Sequence, residues 1–385
     1  MKHTIRGTLV GQQRLSDVIV EDGEVVAIKR AGKSKPDIGS QHAVIAPTLF
    51  DTQVNGVKGI DLQADDVKPE DVRAVTDILA GWGVSHWVPT LVTGALKTME
   101  RNARVIAEAL EDPVVRYAVP GVHLEGPYIS PVDGPRGAHP KRYVRKPDLR
   151  EFDRIMKAVD GKILYTTIAP EIDGAVPYIK GLVKRGVVAS LGHHGAAADD
   201  IRRAVDAGAR YCTHLGNGLA SMIHRHQNPL WPQLADDRLS AGLIPDLHHL
   251  PAETLKTFIR AKGPERVVLT SDCVHVALLK PGLYELARAP VEVLPTGRVC
   301  LRGTDLLAGS SLMLLQGVVN AARVTDLSLE QAFACASTNP TKLFGVRHPF
   351  ASAQTGKKAE FVVFEIRKTG KVAVNAVFVN GQRRK

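Results

Sequence analysis

Apolar and polar positions change period several times along the chain. From residue 43 to residue 272, short runs rich in β-branched and other apolar side chains recur, each closing on polar or chemically capable residues: 43–51, 85–89, 119–125, 163–169, 187–193, 210–214, 241–246 and 267–272. Stretches of helical period lie between several of these runs, such as 69–82, 197–207 and 251–261, the last opening on a proline suited to a first helical turn. Eight strands alternating with helices over about 300 residues predict an α/β fold, a (β/α)8 TIM-like barrel.

Both ends of the chain read differently. Residues 4–28 alternate apolar and polar positions around Glu21-Asp22-Gly23, and residues 360–379 repeat that style around Lys368-Thr369-Gly370, with Asn380-Gly381 following. These are hairpin signals at two termini that flank the barrel. The expected organisation is a small β-sandwich domain formed jointly by residues 1–48 and 347–385, with the barrel occupying 49–346.

Composition narrows the function classes. At 44% hydrophobic and 23% charged residues, the 385-residue chain has ample core and is neither disordered, collagen-like nor disulfide-stapled. No window approaches the roughly 18 to 20 apolar residues of a membrane span. The first seven residues, Met1 to Gly7, have no apolar stretch behind them to act as a secretory signal. A soluble, cytoplasmic protein without a membrane partner is expected. Cys212, Cys273, Cys300 and Cys335 show no C-x-x-C pairing and read as reduced thiols. The formal charge of +10 suits an anionic small molecule or nucleic acid. The basic residues are scattered and aromatics are only 5%, so no nucleic-acid partner is expected.

Histidine is unevenly placed. Seven of the fourteen, at 193, 194, 214, 224, 226, 248 and 249, fall within 57 residues, where even spacing would put about two. In a (β/α)8 enzyme the chemistry sits at the carboxyl ends of the strands. Glu125, His193, His214 and Asp272 each close one of the predicted strands, so the barrel would bring them together whatever their separation in sequence. Imidazole nitrogens with a carboxylate are the ligand set of a catalytic Zn2+ or a similar first-row ion.

Several motifs are also recognisable as a set: His123-Leu124-Glu125-Gly126-Pro127 with Gly137-Ala138-His139-Pro140, Gly192-His193, Thr213-His214-Leu215, Ser271-Asp272, Leu307-Ala308-Gly309-Ser310-Ser311, and Phe50-Asp51-Thr52-Gln53-Val54-Asn55-Gly56. Through them nearly the whole chain resembles the amidohydrolase superfamily and, within it, the N-acetylglucosamine-6-phosphate deacetylases. The resemblance implies Glu125, His193 and His214 as metal ligands and Asp272 as the catalytic acid and base. It implies one divalent metal ion per chain, Zn2+ foremost with Fe2+ or another first-row ion as alternatives. Gln53-x-Asn55 stands where many amidohydrolases have H-x-H, which resembles the single-metal branch, with Gln53 touching the metal's water. His139, Asn217, Gly218, Arg225 and His249 are implied in substrate binding, with Arg225 often serving a neighbouring subunit, hence a homodimer.

Around Arg225 the usual R-E-P-G is replaced by Arg225-His226-Gln227-Asn228-Pro229, and Leu247 takes the place of a glycine before His248-His249. The expected reaction is release of acetate from an N-acetyl amino sugar, N-acetylglucosamine 6-phosphate first. The alternative is another N-acyl substrate, such as a non-phosphorylated N-acetyl sugar or an N-acyl amino acid. A non-catalytic barrel would be expected to lack one of the four reactive residues, and all four are present.

Overall fold

The structure is a computed structural model that describes residues 1–286, 289–348 and 350–385. Its centre is an eight-stranded parallel sheet whose strands follow one another in chain order: Leu49–Val54, Val84–Val92, Val122–Glu125, Ile163–Ile168, Val188–Leu191, Tyr211–Cys212, Ser240–Leu243 and Val267–Leu269. At the end of the first strand and past the last, a parallel bridge pairs Val54 with Cys273, and the Asn55 amide donates to the Cys273 carbonyl at 2.8 Å, so the barrel nearly closes. These strands are buried on both faces, which is why their sequences read as near-continuous apolar runs. Helices including Pro69–Ala80, Leu96–Ala109, Ala175–Lys184 and Ala252–Lys262 surround them. Each of these helices carries an apolar stripe, as with Val72, Val75 and Leu79 on the first, packed into one core with Trp87 and its neighbours.

The two ends of the barrel differ in chemistry. Phe50, Val88, Tyr165, Tyr211 and Val268 form an aromatic-rich plug with Phe344 near the amino ends of the strands. Towards the carboxyl ends the interior turns polar, with His123, Thr167, Ser190 and Thr213 all buried. Burial of polar groups is tolerable there because they bond to one another: His123 Nε2 to Thr167 Oγ1 at 2.8 Å, Thr167 to Thr213 at 2.7 Å and Ser190 to Thr213 at 2.6 Å.

Strands from both termini share a separate sheet. Its seven strands run in the order Gln382–Arg383, Val372–Val379, Phe361–Ile366, Ile38–Pro47, Lys2–Leu9, Leu15–Glu21, Glu24–Arg30. The two hairpin turns sit where the sequence signals them. Asp22 and Gly23, at φ 49° and 85°, join paired Glu21 and Glu24, and Asn380 and Gly381, at 49° and 80°, join paired Val379 and Gln382. Two successive left-handed residues are what a two-residue hairpin loop requires. The sheet is hydrogen-bonded throughout and curls on itself, with Glu24 of one edge strand bridged to Lys358 just ahead of Phe361–Ile366, enclosing Ile5, Val18, Val363 and Phe378. One curled sheet thus supplies both layers of this domain.

The run 43–51 is not one strand. The chain leaves the terminal sheet at Pro47 and enters the barrel at Leu49, whose amide donates to the Gly83 carbonyl at 2.8 Å. Proline has no N–H to extend the first ladder, yet apolar residues continue through the crossing and hide it. A three-stranded antiparallel flap, Gly282–Leu286, Ala289–Val293 and Val299–Leu301, follows the eighth barrel strand and was not anticipated from sequence. No helix among the described residues is long and apolar enough to cross a membrane.

Candidate active site

Glu125 is the last residue of the third barrel strand, whereas His193, His214 and Asp272 lie two, two and three residues past the ends of the fifth, sixth and eighth. All three latter residues have positive φ, at 54°, 30° and 50°. Left-handed backbone at a non-glycine residue costs of order 1–3 kcal/mol and persists where the surroundings enforce it, commonly in active sites. Here it breaks the ladder at the barrel mouth, so the strands end short of the residues that close each sequence run.

Glu125, His193 and His214 converge. Glu125 Oε1 lies 3.2 Å from His193 Nε2 and 2.8 Å from His214 Nε2, and the two nitrogens are 3.1 Å apart. Four ligands around an ion at 2.0–2.1 Å sit roughly 3.3 Å from one another in a tetrahedron, so the spacing fits a first-row divalent ion. His193 Nδ1 is 3.0 Å from the Pro135 carbonyl, which fixes the proton on Nδ1 and leaves Nε2 as a lone pair. Burial opposes ionisation of Glu125, but the two imidazoles beside it outweigh burial and hold its pKa well below the ordinary range. The three side chains are therefore a carboxylate and two imidazoles aimed at one point, a donor set that fits a divalent metal.

The remaining candidates divide. His139 stands at the edge of this cluster, its Nε2 3.2 Å from His193 Nε2 and its Nδ1 2.8 Å from Thr93 Oγ1. Gln53 sits behind Glu125, donating Nε2 to Glu125 Oε1 at 3.0 Å, and is not on the cavity wall. Asn217 and Gly218 line the cavity. Gly218 has φ 60°, and a Cβ there would lie 2.9 Å from His193 Nδ1, so the loop's close approach to His193 requires glycine. His249 also lines the cavity, while Arg225 is on the exposed loop and outside its wall.

Two partners of the predicted residues escaped sequence reading. Asn55 donates Nδ2 to Asp272 Oδ1 at 2.8 Å and so orients that carboxylate. Asp246 accepts from the backbone amides of His248 and His249 at 2.8 Å each through Oδ1, and its Oδ2 is 2.7 Å from His249 Nδ1. Burial works against the Asp246 charge, but His249 more than compensates, and its pKa is lowered. The D-x-x-H spacing was the available signal for this pair. Burial, and after it the neighbouring Glu125 charge, push Asp272 up to about 8. A divalent ion at the trio would pull it back down.

The cavity over these residues holds about 490 Å3. Leu286, Ala289, Leu301 and Leu306 of the flap and its following loop give it an apolar lining, and the 216–221 loop contributes a further part of the wall. The site thus combines a metal-type donor set, a carboxylate poised beside it and a concave pocket with a few polar anchors.

Comparison with known proteins places this geometry. Residues 44–384 match the amidohydrolase family. N-acetylgalactosamine-6-phosphate deacetylase from Escherichia coli O157:H7 is 30% identical over 364 residues, covering 94% of this chain and 93% of that protein. N-acetylglucosamine-6-phosphate deacetylase from Bos taurus is 31% identical, covering 92% and 86%. Among solved structures, a mutant N-acetyl-D-glucosamine-6-phosphate deacetylase from Mycobacterium smegmatis, in complex with N-acetyl-D-glucosamine-6-phosphate, superposes with a TM-score of 0.85 at 29% identity, covering 100% and 99%. With the match spanning nearly all of the barrel and the terminal sheet, the chain belongs to the amidohydrolase family and is a hydrolytic enzyme.

Proposed function

We propose that the chain is a metal-dependent deacetylase of amino sugar phosphates, hydrolysing N-acetylglucosamine 6-phosphate to acetate and the amino sugar phosphate. The observation that carries this is the convergence of Glu125, His193 and His214 with Asp272 in one cavity, in a chain whose relatives carry that activity in their names. Glu125, His193 and His214 would hold one divalent ion, Zn2+ foremost, which when bound supplies Lewis acidity towards the amide carbonyl and a water of lowered pKa. Asp272, held by Asn55, takes a proton from the attacking water and delivers it to the nitrogen as the C–N bond breaks. The water oxygen ends in acetate and the proton on the amine. His139 and His249, both on the cavity wall, orient the acyl group and the sugar, and the Asn217-Gly218 backbone holds its polar edge.

Arg225 is assigned to the phosphate. It lies on the exposed loop, outside the cavity wall, which supports a role towards a second copy of the chain and hence a homodimer. The same position favours a second reading, a neutral N-acyl substrate, should the chain act alone. The proposed division is residues 1–48 with 347–385 as the β domain and 49–346 as the catalytic barrel. A cytoplasmic setting is supported by four free, buried cysteines.

The test is acetate release from N-acetyl sugars and their 6-phosphates, including the galactose epimer, with metal content measured on the same sample. Turnover of the 6-phosphates alone supports the reading, and preference for the neutral sugars replaces it with the alternative.

A further inference from the structure

A second cluster of metal-type side chains lies at the other end of the barrel. His86 is the third residue of the strand Val84–Val92, Glu360 directly precedes the terminal-domain strand Phe361–Ile366, and His348 belongs to the segment joining helix Thr338–Phe344 to that strand. One donor atom from each lies within 4.8 Å of the other two, and the only other such trio among the described residues is the catalytic one. His86 is buried, and the His348 and Glu360 side chains keep 11% and 16% of their exposure.

An ordinary ion pair at the domain junction would account for this cluster if His348 were hydrogen-bonded to Glu360, and it is not. Ser85 Oγ donates to Thr48 Oγ1 at 2.8 Å, and Thr48 Oγ1 donates to Glu360 Oε1 at 3.4 Å. With its own hydrogen committed, Ser85 Oγ, 3.0 Å from His86 Nδ1, can only accept from that nitrogen. The proton of His86 is thereby fixed on Nδ1 and Nε2 is left as a lone pair, the arrangement by which outer partners prepare a histidine for a metal.

His348 Nε2 lies 3.0 Å from Glu360 Oε1, but out of line with it, and is a buried nitrogen without a hydrogen bond. Such a group calls for a missing partner. Glu360 Oε2 accepts from the Tyr117 hydroxyl at 2.5 Å and Oε1 from Thr48 Oγ1 at 3.4 Å. Two imidazoles and a carboxylate therefore share one small space with no proton in line between them.

We propose that His86, His348 and Glu360 form a second metal site, for a first-row divalent cation that accepts two nitrogens and one oxygen, Zn2+ being the best fit. A cleft of about 170 Å3 lies alongside, lined by Ser85 and Tyr117, the hydrogen-bonding neighbours of His86 and Glu360. Its three ligands come from a barrel strand, a linker and the terminal domain, so the ion acts as a staple between domains and takes no part in the reaction. The total becomes two ions per chain, one more than the sequence reading expects.

The test is the zinc content of the full chain, loaded with Zn2+ and then desalted, for wild type, His348→Ala, His214→Ala and the double variant. Two equivalents, one, one and none are expected. His348→Ala should keep acetate release within about twofold, which also shows that it is folded, and His348→Gln serves as a milder replacement if it is not. Equal zinc content in wild type and the His348 variant, or a second equivalent removed from wild type by desalting, would overturn the proposal. Because the site is counted by metal in a background lacking His214, its failure is distinguishable from failure of the deacetylase reading.

Discussion

Replacing Asp272 by asparagine separates proton transfer from metal holding. Asp272 receives a hydrogen bond from Asn55 Nδ2 at 2.8 Å, and an asparagine carbonyl can accept the same bond, so Asp272→Asn keeps the local geometry and loses only the ability to take and return a proton. General acid–base groups contribute about 100- to 10,000-fold, and 100-fold corresponds to about 2.7 kcal/mol of barrier. Acetate release should therefore fall at least about 100-fold, while the metal content of the protein stays at the wild-type level.

Stability supplies a second readout with a definite sign. Burial and the Glu125 charge raise the folded pKa of Asp272 to about 8 when no ion is bound, so the metal-free fold disfavours the ionised form. Its contribution to stability is full below the ordinary carboxyl pKa of 3.8 and is lost as pH rises through 8. Metal-free Asp272→Asn should accordingly melt no lower than metal-free wild type at pH 6 and higher than it at pH 9. Turnover within tenfold of wild type, or loss of the metal with the carboxylate, would refute this assignment.

Other perturbations probe the surroundings. Arg225→Ala removes a guanidinium suited to phosphate, worth about 1.5–3 kcal/mol, so steady-state kinetics should show a KM roughly 10- to 100-fold higher for a 6-phosphate substrate and little change for a neutral N-acetyl sugar. Asp246→Asn places an amide against His249 Nδ1, 2.7 Å from the present carboxylate, and should shift the ring to its other tautomer; kcat/KM should drop about tenfold or more with a changed pH profile and no loss of metal. Trp87 is fully buried and donates Nε1 to Thr76 Oγ1 at 3.1 Å, so Trp87→Ala should lower unfolding free energy by about 3–5 kcal/mol in urea titrations, and a loss below about 1 kcal/mol would show that the barrel wall is less tightly packed than described.

The architecture was readable because burial on both faces leaves its mark as an unbroken apolar run, and because hairpins such as Asp22-Gly23 need residues that tolerate left-handed backbone. The reactive residues were readable because a parallel barrel delivers every strand end to one mouth. What sequence could not show is pairing across long separations. Asn55 meets Asp272 over 217 residues, and read along the chain it was only half of the Gln53-x-Asn55 pair that replaces H-x-H. The same holds for His86, which looks like an ordinary polar residue in a strand until the terminal domain brings Glu360 to it. The change of sheet between Pro47 and Leu49 was hidden because both sheets demand apolar residues at the crossing. Arg225 was placed by motif offset, and an offset carries no information about which copy of the chain it faces.

The central claim is that the metal held by Glu125, His193 and His214 is required to cleave an N-acetyl group. Its most direct test is a paired measurement on His214→Ala: acetate released from N-acetylglucosamine 6-phosphate and metal content of the same preparation. The account predicts that one equivalent of metal and essentially all turnover disappear together. Retained turnover after loss of that equivalent, or an unchanged metal count, would contradict it.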